Sequence, residues 1–219
     1  LGAEILGRKD EEGLTLADWL RRYGQDPSHL TDARIPRGAL AAILELHIEQ
    51  GPQLYETKVQ IGVVQGIVGL KRWKCVATGF ANHAGTTPMN RRKDALVAAA
   101  KDLLAVRDVV RAEPGRQEGV ETRCAVINDI APALSDPSVH SIIREAARSA
   151  GLTSVDLPSG AVHDAGEISR LAPMGMIFVP SRDGISHAPQ EFSTWEDVAN
   201  GTEVLYRTIL SLDKQMNAH

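Results

Sequence analysis

The sequence predicts an α/β fold, and three features carry that prediction. Short runs rich in Val and Ile, at 59–68, 121–130 and 176–179, alternate with longer helical stretches at 90–111, 136–150 and 193–212. Helix-start signals, Asp136-Pro137 and Ser193-x-x-Glu196, open two of those helical stretches. The composition is that of a globular chain, 43% hydrophobic and 24% charged, and 219 residues suffice for one large or two small domains.

Each element follows from local chemistry. Residues 14–23 read as a short helix opened by Thr15-x-x-Asp18, and 37–44 as a second helical candidate. The period then changes. Leu46 and Ile48 alternate with Glu45, His47 and Glu49, which predicts a strand, and Gln50-Gly51-Pro52 ends it. Strands follow at 59–68 and 73–78, then a polar stretch at 81–88 and a helix over 90–111 that Glu113-Pro114-Gly115 stops. Residues 121–130 are the next strand. Asp136 caps a helix with Pro137 at its first position, and Gly151 lies beyond its end. A short buried strand at 176–179 precedes the final helix, which runs to about Leu212.

Charge and cysteine content exclude several classes. Lys and Arg number 24 against 28 Asp and Glu, a net charge of −4, and no basic stripe points to nucleic acid. Arg91-Arg92-Lys93 before a helix reads as a solvated face. Cys75 and Cys124 are the only cysteines, so neither a disulfide framework nor a Cys-rich zinc site is expected. No leader and no membrane-crossing stretch is visible, and the cytoplasm is the expected location. The first residue is Leu1 rather than Met, so the gene product is expected to begin elsewhere.

Four polar constellations stand out, and three of them sit at element ends, where open α/β sheets gather their active sites. In Glu45-Leu46-His47-Ile48-Glu49-Gln50, alternate positions put Glu45, His47 and Glu49 on one face. Imidazole with carboxylate suits Zn²⁺ or Mn²⁺, although a half-buried strand with a polar outer face fits the same spacing. Asn82-His83-Ala84-Gly85-Thr86-Thr87-Pro88 is either an anion or carbonyl binder or a plain polar loop. Ser159-Gly160-Ala161-Val162-His163-Asp164-Ala165 has small residues that admit a ligand to the backbone, or it opens a helix. Finally, Ser181-Arg182-Asp183-Gly184-Ile185-Ser186-His187-Ala188-Pro189-Gln190-Glu191 follows a strand, which puts His187 on a loop past its end, where a histidine is either a ligand or simply solvated.

Their conjunction and order resemble one family, the allantoate amidohydrolase, N-carbamoyl-L-amino-acid hydrolase (hydantoinase/carbamoylase) and ureidoglycolate amidohydrolase group. It sits within the wider clan of two-metal aminoacylases and carboxypeptidases. Residues 62–73, with Val-Val-Gln-Gly-Ile-Val-Gly inside, and 178–195 share the likeness. The resemblance implies an aminopeptidase-like α/β catalytic domain, partial, at 1–70 and 131–219. It implies an inserted, shortened α+β dimerisation or lid domain at 71–130. The implied reaction is hydrolysis of the C–N bond of a linear ureido or carbamoyl compound, an N-carbamoyl-L-amino acid or allantoate, with two divalent metals (Zn, Mn, Co or Ni).

By the same resemblance, His47 is a ligand of the first metal and His187 of the second. Gln50 orients substrate, Gly160 and His163 belong to the substrate pocket, and His83 reaches across a homodimer to stabilise the oxyanion. The implied partner is a small molecule, with no nucleic acid and no membrane. Two departures stand out. No His-x-Asp motif and no catalytic Glu-Glu pair occur in residues 1–46, since Glu11-Glu12 aligns with a later linker. Between Arg116 and Arg123 the chain is shorter than the family's, without the Asn and Arg that grip a substrate carboxylate. The chain is therefore expected to be part of a longer enzyme, with a split enzyme or a catalytically incomplete binding or dimerisation module as the alternatives.

Overall fold

The chain runs through α1 (Leu16–Arg22), β1 (Ile43–Ile48), α2 (Gln53–Thr57), β2 (Ile61–Ile67), β3 (Leu70–Thr78), α3 (Ala95–Asp108), β4 (Glu121–Ile130), β5 (Ala133–Leu134), α4 (Pro137–Ser149), β6 (Ser154–Ser159), α5 (Asp164–Ile168), β7 (Met174–Val179) and α6 (Trp195–Met216). The computed structural model describes residues 3–36, 38–108 and 121–216. It divides into two compact units, Leu1–Val68 with Ala133–His219, and Gly69–Pro132. The helix stop at 113–115 and the shortened connection at 116–120 lie outside the described residues. Among the described residues no helix is long and apolar enough to cross a membrane.

The first unit is built on a mixed five-stranded sheet. Parallel β1 and β7 lie side by side, β7 pairs antiparallel with β2, and β2 also pairs with β6 and β5. Every residue of β7 is buried, because both faces of the sheet are covered there. On one face, Ile61, Val63, Ile177 and Val179 meet Val139, Ile143, Ala146 and Ala147 of α4 and Val204 of α6. On the other, Val64, Leu157, Met174, Met176 and Phe178 meet Leu54 of α2 and Ala165 of α5. Each such fully buried side chain contributes roughly 1.5–3 kcal/mol of transfer free energy. Gly201 sits inside α6 because that helix rides close to the sheet: a Cβ there would lie 2.4 Å from Val179 Cγ1.

Local signals fix some boundaries and tertiary pairing overrides others. Thr15 and Asp18 form the capping box that opens α1, and Asp136 accepts the N–H of Ser138 and Val139 at the start of α4. The helix expected at 37–44 does not form. Residues from Ile43 onward pair in register with β7, Ile43 opposite Met174, and ladder formation outweighs a weak helical preference. The last helix is capped one residue later than expected: Thr194 and Asp197 exchange side-chain and backbone bonds, while Ser193 donates to the Pro180 carbonyl.

The second unit is thinner. Its sheet, among the described residues, is the antiparallel ladder of β3 and β4, with α3 packed against β3. The register sets Cys75 directly opposite Cys124, and the two form a disulfide. The sequence argues against a disulfide framework and does not announce this single bridge. Composition shows only two cysteines, whereas strand pairing brings them face to face across 49 positions of chain.

Candidate metal centre

Alternation along β1 sends Leu44, Leu46 and Ile48 to the helix-covered face and Ile43, Glu45 and His47 to the opposite one. His163 reaches that second face from elsewhere. The chain after β6 turns back over the sheet, and His163 occupies the position just before α5, only 7% exposed. Its ring lies edge-on to His47 with centroids 4.6 Å apart, and 5.7 Å from the ring of Phe178. One potential ligand atom from each of Glu45, His47 and His163 lies within 4.8 Å of the others.

Hydrogen bonds orient all three. His47 Nδ1 lies 2.8 Å from the carbonyl of Ile48, which can only accept, so Nδ1 carries the proton and Nε2 keeps its lone pair. Glu45 Oε2 accepts the Ala165 N–H at 2.8 Å, and Oε1 stands 3.5 Å from His163 Nδ1. His163 Nε2 lies 2.8 Å from the hydroxyl of buried Ser159. Burial, and next the neighbouring His47, push the His163 imidazolium below its ordinary range, with Glu45 acting in the opposite sense. A neutral ring is the form that binds metal. Two imidazoles and a carboxylate are a donor set that suits a divalent transition metal, so the residues present fit such an ion.

A second group gathers at the loop after β7. Gln50 Nε2 donates to Ser186 Oγ at 3.0 Å and lies 3.1 Å from His187 Nε2. Glu191 accepts from the backbone N–H of His187 and from the Ser186 hydroxyl, and these two bonds hold its carboxyl below the usual range. Gln50 and His187 both sit in the left-handed region, with φ of 58° and 57°. That conformation costs on the order of 1–3 kcal/mol at a non-glycine residue and tends to mark functional sites. Gly184 lets the loop approach: a Cβ there would lie 2.6 Å from the backbone nitrogen of Pro52. His187 is not a member of the Glu45, His47 and His163 group.

The other singled-out residues fall in different places. Glu49 shares no site with Glu45 and His47, because its carboxylate accepts the N–H groups of Gln53 and Leu54 at the start of α2. Gly160 is exposed between Ser159 and His163. His83 belongs to the second unit, where its Nδ1 accepts the N–H of Gly85 and of Thr86, each at 3.0 Å. Arg92 ties the same loop by donating to the carbonyls of Ala84 and Thr87. With Nδ1 occupied as an acceptor, the neutral His83 ring carries its proton on Nε2.

Residues 4–211 match the family model of peptidase family M20/M25/M40. The chain belongs to that family. Within it, the chain matches hydantoinase/carbamoylase proteins strongly. The N-carbamoyl-L-amino acid amidohydrolase of Geobacillus stearothermophilus is 35% identical, over 97% of this chain and 64% of the relative. A crystal structure of AtUAH in complex with (S)-hydroxyglycine superposes with a TM-score of 0.80 at 30% identity, over 96% of this chain and 64% of that one. The hydantoinase/carbamoylase family amidase of Burkholderia multivorans gives a TM-score of 0.70 at 32% identity, over 95% and 62%.

This M20 chain thus spans less than two thirds of the length of these relatives. The Geobacillus alignment runs over 263 positions against 219 residues here, so at least 44 of its positions have no counterpart. The larger mixed sheet and the smaller antiparallel sheet fit the general architecture of the family. Sequence reasoning underrated Glu45 as a donor, although its shared strand parity with His47 was the available signal. Ser159 and Ala165 fall inside a stretch the sequence singles out, but their bonds to His163 and Glu45 come into view only through the fold.

Proposed function

We propose that the protein is, or is part of, a metal-dependent amidohydrolase that cleaves the C–N bond of a linear ureido or carbamoyl compound, an N-carbamoyl-L-amino acid or allantoate. The observation that carries this is the His47 imidazole, presented with a free Nε2 beside Glu45 and His163 in a chain of the M20 family. The name of the Geobacillus relative and the (S)-hydroxyglycine held by AtUAH support a substrate built on an amino acid. In this reading the first unit is the catalytic domain and the second a shortened dimerisation or lid domain of a homodimer. The at least 44 unmatched positions are in keeping with that shortening.

His47 and His187 would hold two divalent metals, Zn, Mn, Co or Ni, which when bound polarise the scissile carbonyl and acidify water. Gln50 turns its amide toward the His187 loop and orients the substrate beside it. Gly160, without a side chain, leaves the pocket wall open, and His163 closes it. His83, reaching across the homodimer, would offer its Nε2–H as a donor to the developing oxyanion at the partner's site.

The test is ammonia release from an N-carbamoyl-L-amino acid and from allantoate by the metal-loaded protein. Turnover is expected, with His83→Ala slowed on the order of 10²-fold. His47→Ala and His187→Ala are expected to be inactive. Full activity in all three variants would sink the site assignment.

A further inference from the structure

We propose that Arg92 is a positioning residue for His83, holding the imidazole in the one tautomer and orientation that present Nε2–H. The inference rests on the functional reading above, in which His83 donates to the oxyanion. In sequence, Arg91-Arg92-Lys93 is one basic run, but the three side chains part company in the fold. Arg91 and Lys93 are exposed, whereas Arg92 is half-buried and turns back onto the loop that carries His83. The backbone prepares that turn. A short 3₁₀ turn over Met89–Arg91 ends at Arg92, and the Lys93 carbonyl accepts the Phe80 N–H at 2.9 Å. Gly79 permits this approach, since a Cβ there would lie 2.4 Å from the same carbonyl oxygen.

One nitrogen of the guanidinium, Nη2, donates to the carbonyl of Ala84 at 2.5 Å and to that of Thr87 at 3.2 Å. The first bond reaches His83 through a single peptide group. The Ala84 C=O and the Gly85 N–H share one peptide plane, and that N–H donates to His83 Nδ1 at 3.0 Å. A cation at the oxygen of a peptide polarises it and strengthens its N–H as a donor. The Thr86 N–H reaches the same Nδ1 at 3.0 Å.

The second bond closes the loop from its other end. Buried Thr87 donates its hydroxyl to the His83 carbonyl at 2.6 Å, while Asn82 Oδ1 accepts the His83 N–H at 2.8 Å. An exposed histidine is therefore held at its backbone and at Nδ1, and Nε2–H is what it presents outward. Gly85 would let such a loop sample many conformations, and the two bonds from Arg92 select one.

The test is a double-mutant cycle on turnover of an N-carbamoyl-L-amino acid, with ¹⁵N histidine spectra of the same proteins. Arg92→Ala is expected to lower kcat about 10²-fold while KM stays within about twofold. Added to His83→Ala, the same change is expected to cost less than about threefold. The neutral His83 ring should carry its proton on Nε2 in the unaltered protein and become a mixture of tautomers in Arg92→Ala. Arg92→Lys, whose ammonium can stand where Nη2 stands, should restore one tautomer and most of kcat. Equal losses from Arg92→Ala with and without the His83 side chain would overturn the proposal, because Arg92 would then act on the domain alone. An unchanged tautomer in Arg92→Ala, or a proton on Nδ1 in the unaltered protein, would overturn it without any activity measurement. Full activity in His83→Ala would instead overturn the functional reading, and the spectra would still decide whether Arg92 sets the ring.

Discussion

The two units of this chain solve the same problem by different means. In the first, β7 is sealed on both faces: Met176 and Ile177 are fully buried, and Phe178 retains 1% of its exposure. In the second, Trp73, Leu103 and Phe80 remain 53%, 73% and 71% exposed, and the β3–β4 ladder is tied by Cys75–Cys124. A two-stranded ladder with one helix buries too little apolar surface to be robust alone. The first unit therefore rests on packing, and the second relies more heavily on a covalent link. A metal site needs side chains locked within fractions of an ångström, and it is the packed unit that carries Glu45, His47 and His163.

This contrast can be broken at its strong end first. Phe178→Ala removes a buried ring that also backs His163, and a loss of about 3–5 kcal/mol is expected. Chemical denaturation of the first unit's fluorescence or dichroism reads it, and a loss under about 1 kcal/mol would show that the packing is not what holds this unit.

Reduction of Cys75–Cys124 should come next. Closing a loop of 49 positions stabilises by about 4 kcal/mol in the chain-entropy picture, and native bridges typically give 2–4. Hydrogen exchange should accelerate across 70–78 and 121–130 on reduction while 174–179 stays protected. Uniform acceleration of both units would contradict their separation.

The smallest effect is expected at Leu103, exposed on α3. Leu103→Ala should change stability by no more than about 0.5 kcal/mol, against several for a comparable truncation in the first unit. A large loss there would mean that this face is covered in solution.

What could be read in advance follows the same division between local and tertiary causes. The Thr15–Asp18 and Asp136 caps are local chemistry, and they appear where the residues put them. The alternation of Glu45 and His47 is likewise local, and it named their shared face. Strand β6 was missed because Ser154–Ser159 is short, polar at both ends and contains Pro158; its partner β2 makes it a strand. The helix expected at 37–44 failed for the converse reason, since β7 was available to pair with residues from Ile43. The meeting of His163 with Glu45 spans 118 positions and depends on the chain folding back over the sheet, which no periodicity announces. Glu49 had the right parity and still went elsewhere, drawn by two unpartnered N–H groups of α2.

The most direct measurement is anomalous diffraction at the zinc edge from crystals grown with zinc. The expected result is a zinc peak at about 2.0–2.2 Å from His47 Nε2, the ring nitrogen that the bond to the Ile48 carbonyl leaves over. No peak at His47, in crystals that take up zinc elsewhere, would contradict a metal centre on this face of the sheet.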